Sequence, residues 1–128
     1  MNSEKQQVEQ FIVDYYQKFD QRAPLKEFDQ LIDWDDFQLL TGQVIIKSRD
    51  EYRDWYLEVR HEYENSQHIL KNLQIELLDI GCFYARADLK FKAIKKGFID
   101  KKIKTKAKLE WTIKSDDSGF KIKEYIVK

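Results

Sequence analysis

The hydrophobic period of this chain changes inside one stretch, SRDEYRDWYLEVRHEYENSQHILKNLQIELL (48–78), and that change limits what the chain can fold into. In its first half Tyr52, Trp55, Tyr56, Val59 and Tyr63 recur every three or four residues, the apolar stripe of an α-helix. Arg49, Asp50, Arg53, Asp54, Glu58 and Arg60 occupy the opposite face. Ser48 and Glu51 form a capping box that starts it. Asn65-Ser66 breaks the pattern. Leu73, Ile75 and Leu77 then alternate with Asn72, Gln74 and Glu76, the period of a half-buried strand. His68 lies at the predicted mouth of that strand.

Alternation continues to the end. Asp79-Ile80-Gly81 is a turn, after which Phe83, Ala85, Ala87, Leu89, Phe91 and Ala93 share one face of a long strand. A loop at 96–100 leads to a strand with Ile103, Thr105, Ala107, Leu109, Trp111 and Ile113 on one side. Ser115-Asp116-Asp117-Ser118-Gly119 has hairpin chemistry, and the closing strand places Phe120, Ile122, Glu124 and Ile126 on its apolar parity.

Upstream, Val8, Phe11, Ile12, Tyr15, Tyr16 and Phe19 mark a first helix, with Ser3 and Gln6 in capping-box spacing. Pro24 opens a second short helix carrying Leu25, Phe28, Leu31 and Ile32, and 37–46 reads as a short strand or hairpin. Helices followed by a one-faced antiparallel meander predict an α+β fold: three N-terminal helices packed in a strongly curved antiparallel sheet, one domain over 1–128.

Composition narrows the function classes. Lysine plus arginine (23) balance aspartate plus glutamate (23), so no global charge points to nucleic acid, an acidic substrate or an anionic membrane. The polar start MNSEKQQVEQ carries no signal-peptide pattern, and no apolar run reaches the roughly 18 residues of a spanning helix, so a cytoplasmic protein without a membrane partner is expected. Cys82 is the sole cysteine, which excludes an intrachain disulfide and four-cysteine zinc sites. His61 and His68 do not have metal-ligand spacing, and no phosphate-binding loop occurs, so neither metal nor cofactor is expected.

The helix VEQFIVDYYQKFD, the segment GQVIIKSRDEYRDWY, the junction QHILKNLQIELLD and the hairpin KLEWTIKSDDSGFKIKEYIVK together resemble the nuclear transport factor 2-like superfamily, its SnoaL-like branch in particular. The resemblance covers nearly the full length and implies a cone-shaped, cystatin-like roll. That superfamily holds ketosteroid isomerases, scytalone dehydratases and polyketide cyclases beside non-enzymatic transport factors and kinase association domains, so it specifies fold better than activity. Matched to the isomerases, Tyr15 stands at the oxyanion tyrosine, but the two carboxylate positions fall on Leu39 and Trp111, neither of which transfers a proton. Matched to the dehydratases, His68 stands at one catalytic histidine, and no histidine occurs on the next long strand, where the second belongs.

Two functional expectations follow. In the first, a small apolar molecule binds in the cone against Tyr15, Trp34, Leu39, Trp55, Tyr56 and Trp111, a mostly apolar lining with few polar groups. Isomerase, cyclase or dehydratase chemistry would then use Tyr15 to orient an oxygen and His68 or Glu124 to move a proton. Imidazole ordinarily titrates near pH ~6.5, and a carboxylate on the apolar parity of a strand would be forced toward its neutral form. In the second, the aromatics fill the interior themselves and the chain is a non-catalytic interaction or oligomerisation module, as a homodimer for example. Between 90 and 108 stand nine lysines against one aspartate, Asp100, a local charge of +8. With little aromatic interleaving on that face beyond Tyr84, the run is expected to be a solvated face whose lysines discourage edge pairing rather than a nucleic-acid site.

Overall fold

The computed structural model describes residues 4–42, 44–117 and 119–128. Helix α1 spans Glu4–Asp20 and buries Val8, Ile12, Tyr15, Tyr16 and Phe19, the stripe expected from the sequence. The proposed Ser3 cap lies outside the described residues. At its other end the chain reverses through Arg22, whose φ of +58° lets Ala23 N–H donate to Lys18 O at 2.9 Å, the six-to-one bond of a Schellman cap. The Arg22 guanidinium donates to Tyr63 O and so ties this reversal to the sheet.

The second helix expected after Pro24 does not form. Pro24 leads into one 3-10 turn, Leu25–Glu27, and Phe28 and Ile32 reach the core from irregular chain. Four apolar residues in eight supply too few turns to propagate a helix, so the described residues form two α-helices rather than the expected three. Strands β1 (Gln38–Thr41) and β2 (Val44–Ile46) follow as a small hairpin.

Helix α2, Arg49–Glu62, starts as the sequence requires. Glu51 N–H donates to Ser48 Oγ at 3.1 Å, while the Glu51 carboxylate accepts from Lys47 N and Ser48 Oγ. Its end differs from expectation. Tyr63 is already extended, and strand β3 runs from Tyr63 to Asp79, with no loop at Asn65-Ser66. Asn65 (φ +51°) and Asn72 (φ +57°) instead lie where the β3–β4 register shifts, as bulges that bend the strand. Asparagine tolerates the left-handed conformation better than most residues, so a sequence signal for a break becomes a kink within pairing. His68 is therefore five residues inside β3, opposite Phe91, and not at a strand mouth.

Strands β4 (Cys82–Lys95), β5 (Lys101–Asp116) and β6 (Gly119–Val127) complete one six-stranded sheet in the order β2-β1-β6-β5-β4-β3. The sheet is mixed, not wholly antiparallel: β1 runs parallel to β6, with Leu39 beside Tyr125. Phe83, Ala85, Ala87, Leu89 and Ala93 of β4 are buried, as alternation predicts, and so are Leu109, Trp111 and Ile113 of β5. Gly81 in the β3–β4 turn has φ +71°, and a Cβ there would stand 2.9 Å from Ser115 O, so that turn accepts only glycine.

Candidate functional site

The interior between α1, α2 and the sheet is filled by aromatic rings. Tyr15 and Tyr16 face the core from α1, Tyr52 and Tyr56 from α2, Trp111 from β5 and Tyr125 from β6, all nearly or fully buried. Adjacent helical residues can both be buried because α1 lies within the curve of the sheet, exposing a wide apolar face to it. The rings pack edge to face: Tyr15 on Phe28 (centroids 5.5 Å, 77°), Trp111 on Tyr125 (5.7 Å, 87°) and Phe19 on Tyr56 (5.1 Å, 65°).

Each buried phenol finds a partner within the protein. Tyr15 Oη and Tyr52 Oη are 2.7 Å apart, Tyr16 Oη bonds Tyr125 Oη, and Tyr56 Oη donates to Ala23 O at 2.6 Å. Burial, which penalises the phenolate, pushes Tyr15, Tyr16, Tyr52 and Tyr125 above the ordinary tyrosine range. At neutral pH these hydroxyls are neutral and engaged with each other.

A second cluster joins the end of α1 to β3. Asp20 accepts three hydrogen bonds there: from His68 N–H at Oδ2 (2.9 Å), from His68 Nδ1 at Oδ1 (2.6 Å) and from Ser66 Oγ (3.2 Å). The imidazole stacks on Tyr16 (4.7 Å, 21°), and Phe19 and Phe91 close on it at 5.3 and 4.9 Å. Its side chain is 10% exposed and that of Asp20 22%, so the pair sits just under the surface. Sequence reasoning missed Asp20. The signal was available: a carboxylate in the last turn of a helix opposes the macrodipole and calls for donors from elsewhere.

The three residues assigned to proton chemistry are not brought together. Tyr15 is bonded to Tyr52, and the tyrosine against His68 is Tyr16. Glu124 is displaced by a bulge in β6: Thr112 pairs with Glu124 but Ile113 with Ile122, so Lys123 is the extra residue. Parity slips there, Tyr125 turns inward and Glu124 falls on the outer face of the sheet, correcting the expectation that it faces the interior. Of the expected pocket residues, Leu39, Tyr56 and Trp111 are buried in the core; Trp34 and Trp55 are half-buried and pack on Tyr52 at 5.6 and 5.4 Å. Trp34 Nε1 is buried without a hydrogen-bond partner. None of these residues lines the depressions formed over β3–β5, beside α1 or beside α2, which open on the outside.

Two further acidic side chains have partners within the protein: buried Asp33 is ion-paired with Lys114 (2.8 Å), and Asp14 accepts from Gln10. No group of three or more histidine, cysteine, aspartate or glutamate side chains among the described residues is placed to hold a metal. No described helix is long and apolar enough to cross a membrane.

No protein-family model matches the sequence, and no curated protein matches it. Solved structures match the fold closely. A nuclear transport factor 2-like superfamily protein from Salmonella enterica superposes with a TM-score of 0.86 at 14% identity, over 97% of this chain and 89% of that one. A protein named as a candidate scytalone dehydratase from Novosphingobium aromaticivorans gives 0.83 at 16% identity, covering 98% and 83%. One named as a candidate calcium/calmodulin-dependent protein kinase II association domain from Xanthomonas campestris gives 0.82 at 16%, covering 98% and 87%. The chain has the nuclear transport factor 2-like fold, an α+β architecture that its neighbours use under both enzymatic and non-enzymatic names.

Proposed function

We propose that this chain is a non-catalytic interaction module in which the cone serves as structural core and the outer surface makes the contacts. The observation that supports it is the mutual pairing of the interior phenols, Tyr15 with Tyr52 and Tyr16 with Tyr125. A ligand entering there would have to separate these pairs and displace fully packed rings, a cost set against whatever it gained. The association domain among the structural neighbours has the same fold under a non-enzymatic name. The test is a thermal-shift and NMR titration with naphthol- and steroid-like ligands, alongside light scattering of the free chain. Absence of saturable binding, with assembly above the monomer, is the expected outcome; a ligand that shifts the Tyr15 and Trp111 resonances stoichiometrically overturns the reading.

A second reading has its own observation, the His68 Nδ1–Asp20 Oδ1 contact of 2.6 Å. A carboxylate that orients an imidazole is the arrangement of a general base, and one structural neighbour carries a dehydratase name. On that reading His68→Gln abolishes turnover of a hydroxylated aromatic ketone while leaving the melting temperature within a few degrees. Loss of folding in His68→Gln, with no turnover by the unsubstituted chain, excludes it and leaves Asp20–His68 as a clasp.

A further inference from the structure

The zero net charge of the chain conceals a segregation on the β4–β5 hairpin. In the β4–β5 register Lys90 stands opposite Lys106, Lys92 opposite Lys104 and Lys95 opposite Lys101. Like charges directly opposite on a sheet repel, and two such pairs, Lys90–Lys106 and Lys92–Lys104, follow each other on the outer face, while Lys95–Lys101 lies on the opposite parity beside the hairpin tip. Lys95 is ion-paired with Glu62. Among the described residues no carboxylate lies within ion-pair distance of Lys90, Lys92, Lys101, Lys104 or Lys106. Lys104 holds the Lys90 ammonium below its ordinary value, as expected of cations that no anion separates. The other half of this sheet face carries carboxylates among its cations: Glu110 accepts from Tyr84 and pairs with Lys128 at 2.7 Å, and Asp88 accepts from Asn72.

At the tip of the same hairpin the chain exposes Phe98 and Ile99 to solvent, at 105% and 73%. They are preceded by Lys95 and Lys96, which pair with Glu62 and Glu64 at 3.3 and 3.1 Å, and followed by Lys101 and Lys102 at the start of β5. An apolar tip behind which cations accumulate fits an anionic lipid surface, where aromatic and aliphatic side chains enter the acyl boundary and lysines meet the headgroups. A nucleic acid fits less well. Base stacking needs aromatics among the lysines, whereas Tyr84 is engaged with Glu110 and the aromatic residue stands at the hairpin's end.

We infer that the β4–β5 hairpin docks onto anionic membrane surfaces, with Phe98 and Ile99 inserted at the interface and Lys92, Lys101, Lys102 and Lys104 against the lipid headgroups. This goes beyond the module reading and does not depend on whether the cone binds a ligand. The test is co-sedimentation of the full chain with phosphatidylcholine vesicles, with and without phosphatidylserine. The chain pellets with the phosphatidylserine vesicles alone, and added salt weakens the interaction. Phe98→Ser/Ile99→Ser lowers partitioning about tenfold, as does Lys92→Glu/Lys104→Glu. Phe98, Ile99 and Lys104 are exposed and Lys92 is half-buried, and circular dichroism verifies the fold of each variant. Three results overturn the inference: no pelleting with either vesicle; pelleting unaffected by Phe98→Ser/Ile99→Ser while duplex DNA binds equally well, which assigns the lysines to a soluble polyanion; or a dimer that Phe98→Ser/Ile99→Ser converts to monomer without vesicle binding, which assigns the tip to a second copy.

Discussion

The buried phenols place most of this protein's polar chemistry where it holds the molecule together. Tyr15→Phe removes one hydroxyl and leaves Tyr52 buried with no partner, a loss of about 1–3 kcal/mol in urea unfolding. Tyr15→Phe/Tyr52→Phe removes both, and its cost falls below the sum of the single variants because no orphan remains. Alkaline pH makes the same point through linkage. The unfolded chain ionises its tyrosines near pH ~10, while burial holds Tyr15, Tyr16, Tyr52 and Tyr125 neutral beyond that. Above that pH the unfolded state binds fewer protons than the folded one, so the stability these groups contribute, present in full below it, declines as pH rises. Phenolate absorbance therefore rises in two stages, the second coincident with loss of circular dichroism; a single gradual titration of all tyrosines would contradict the packing. Asp20→Ala strands two nitrogens of His68 and the Ser66 hydroxyl at once and costs about 2–3 kcal/mol by the same urea measurement. Tyr15 was legible in the sequence as part of a helical stripe. The place of Asp20 in the last turn of α1 signalled a need for donors, but which residues supply them was not legible, because Ser66 and His68 lie 46 and 48 residues away and no local pattern encodes them.

At the scale of elements, bulges decide which sequence patterns could be read. From Phe83 to Ala93 the strand is regular and alternation named its buried face correctly. In β6 one extra residue, Lys123, reverses the parity halfway along, and nothing between Phe120 and Val127 departs from ordinary strand composition. Glu124 looked internal and Tyr125 external for that reason alone. Deleting Lys123 removes the extra residue, so Ile122, Glu124 and Tyr125 follow in plain alternation with Glu124 still outward and Tyr125 still inward; circular dichroism and heteronuclear NMR are expected to show the cooperative fold retained, and its loss would contradict the bulge. Gly81→Ala tests the opposite case, a position the sequence signalled well: its φ of +71° and the 2.9 Å approach to Ser115 O predict a loss of about 1–3 kcal/mol. The helices followed length. α1 and α2, at 17 and 14 residues, were both legible, whereas the segment after Pro24 had apolar spacing without the turns to sustain it.

For the whole molecule, the balance of 23 basic and 23 acidic residues describes a sum and not a distribution. With Lys90, Lys92, Lys104 and Lys106 facing one another in register, added salt is expected to raise the melting temperature, since screening relieves repulsion across strands. Lys104→Glu does the same at low salt, and its advantage shrinks as salt increases; a melting temperature indifferent to both would mean that the lysines are already neutralised. The fold class was legible at this scale through the order of periods along the chain; the parallel seam and the absence of a helix after Pro24 were not. That seam bears on biosynthesis. β1 and β2 attach to the rest of the sheet through β6 alone, and 77 residues separate Thr41 from Gly119. A growing polypeptide thus presents an orphan hairpin on one side and the bare edge of β5 on the other until the last strand emerges and slides between them. Loop closure of that length is slow, so the nascent chain carries the β1–β2 hairpin unpaired through most of its translation and adds the open edge of β5 only near the end, the interval in which a chaperone or an unwanted neighbour would find it.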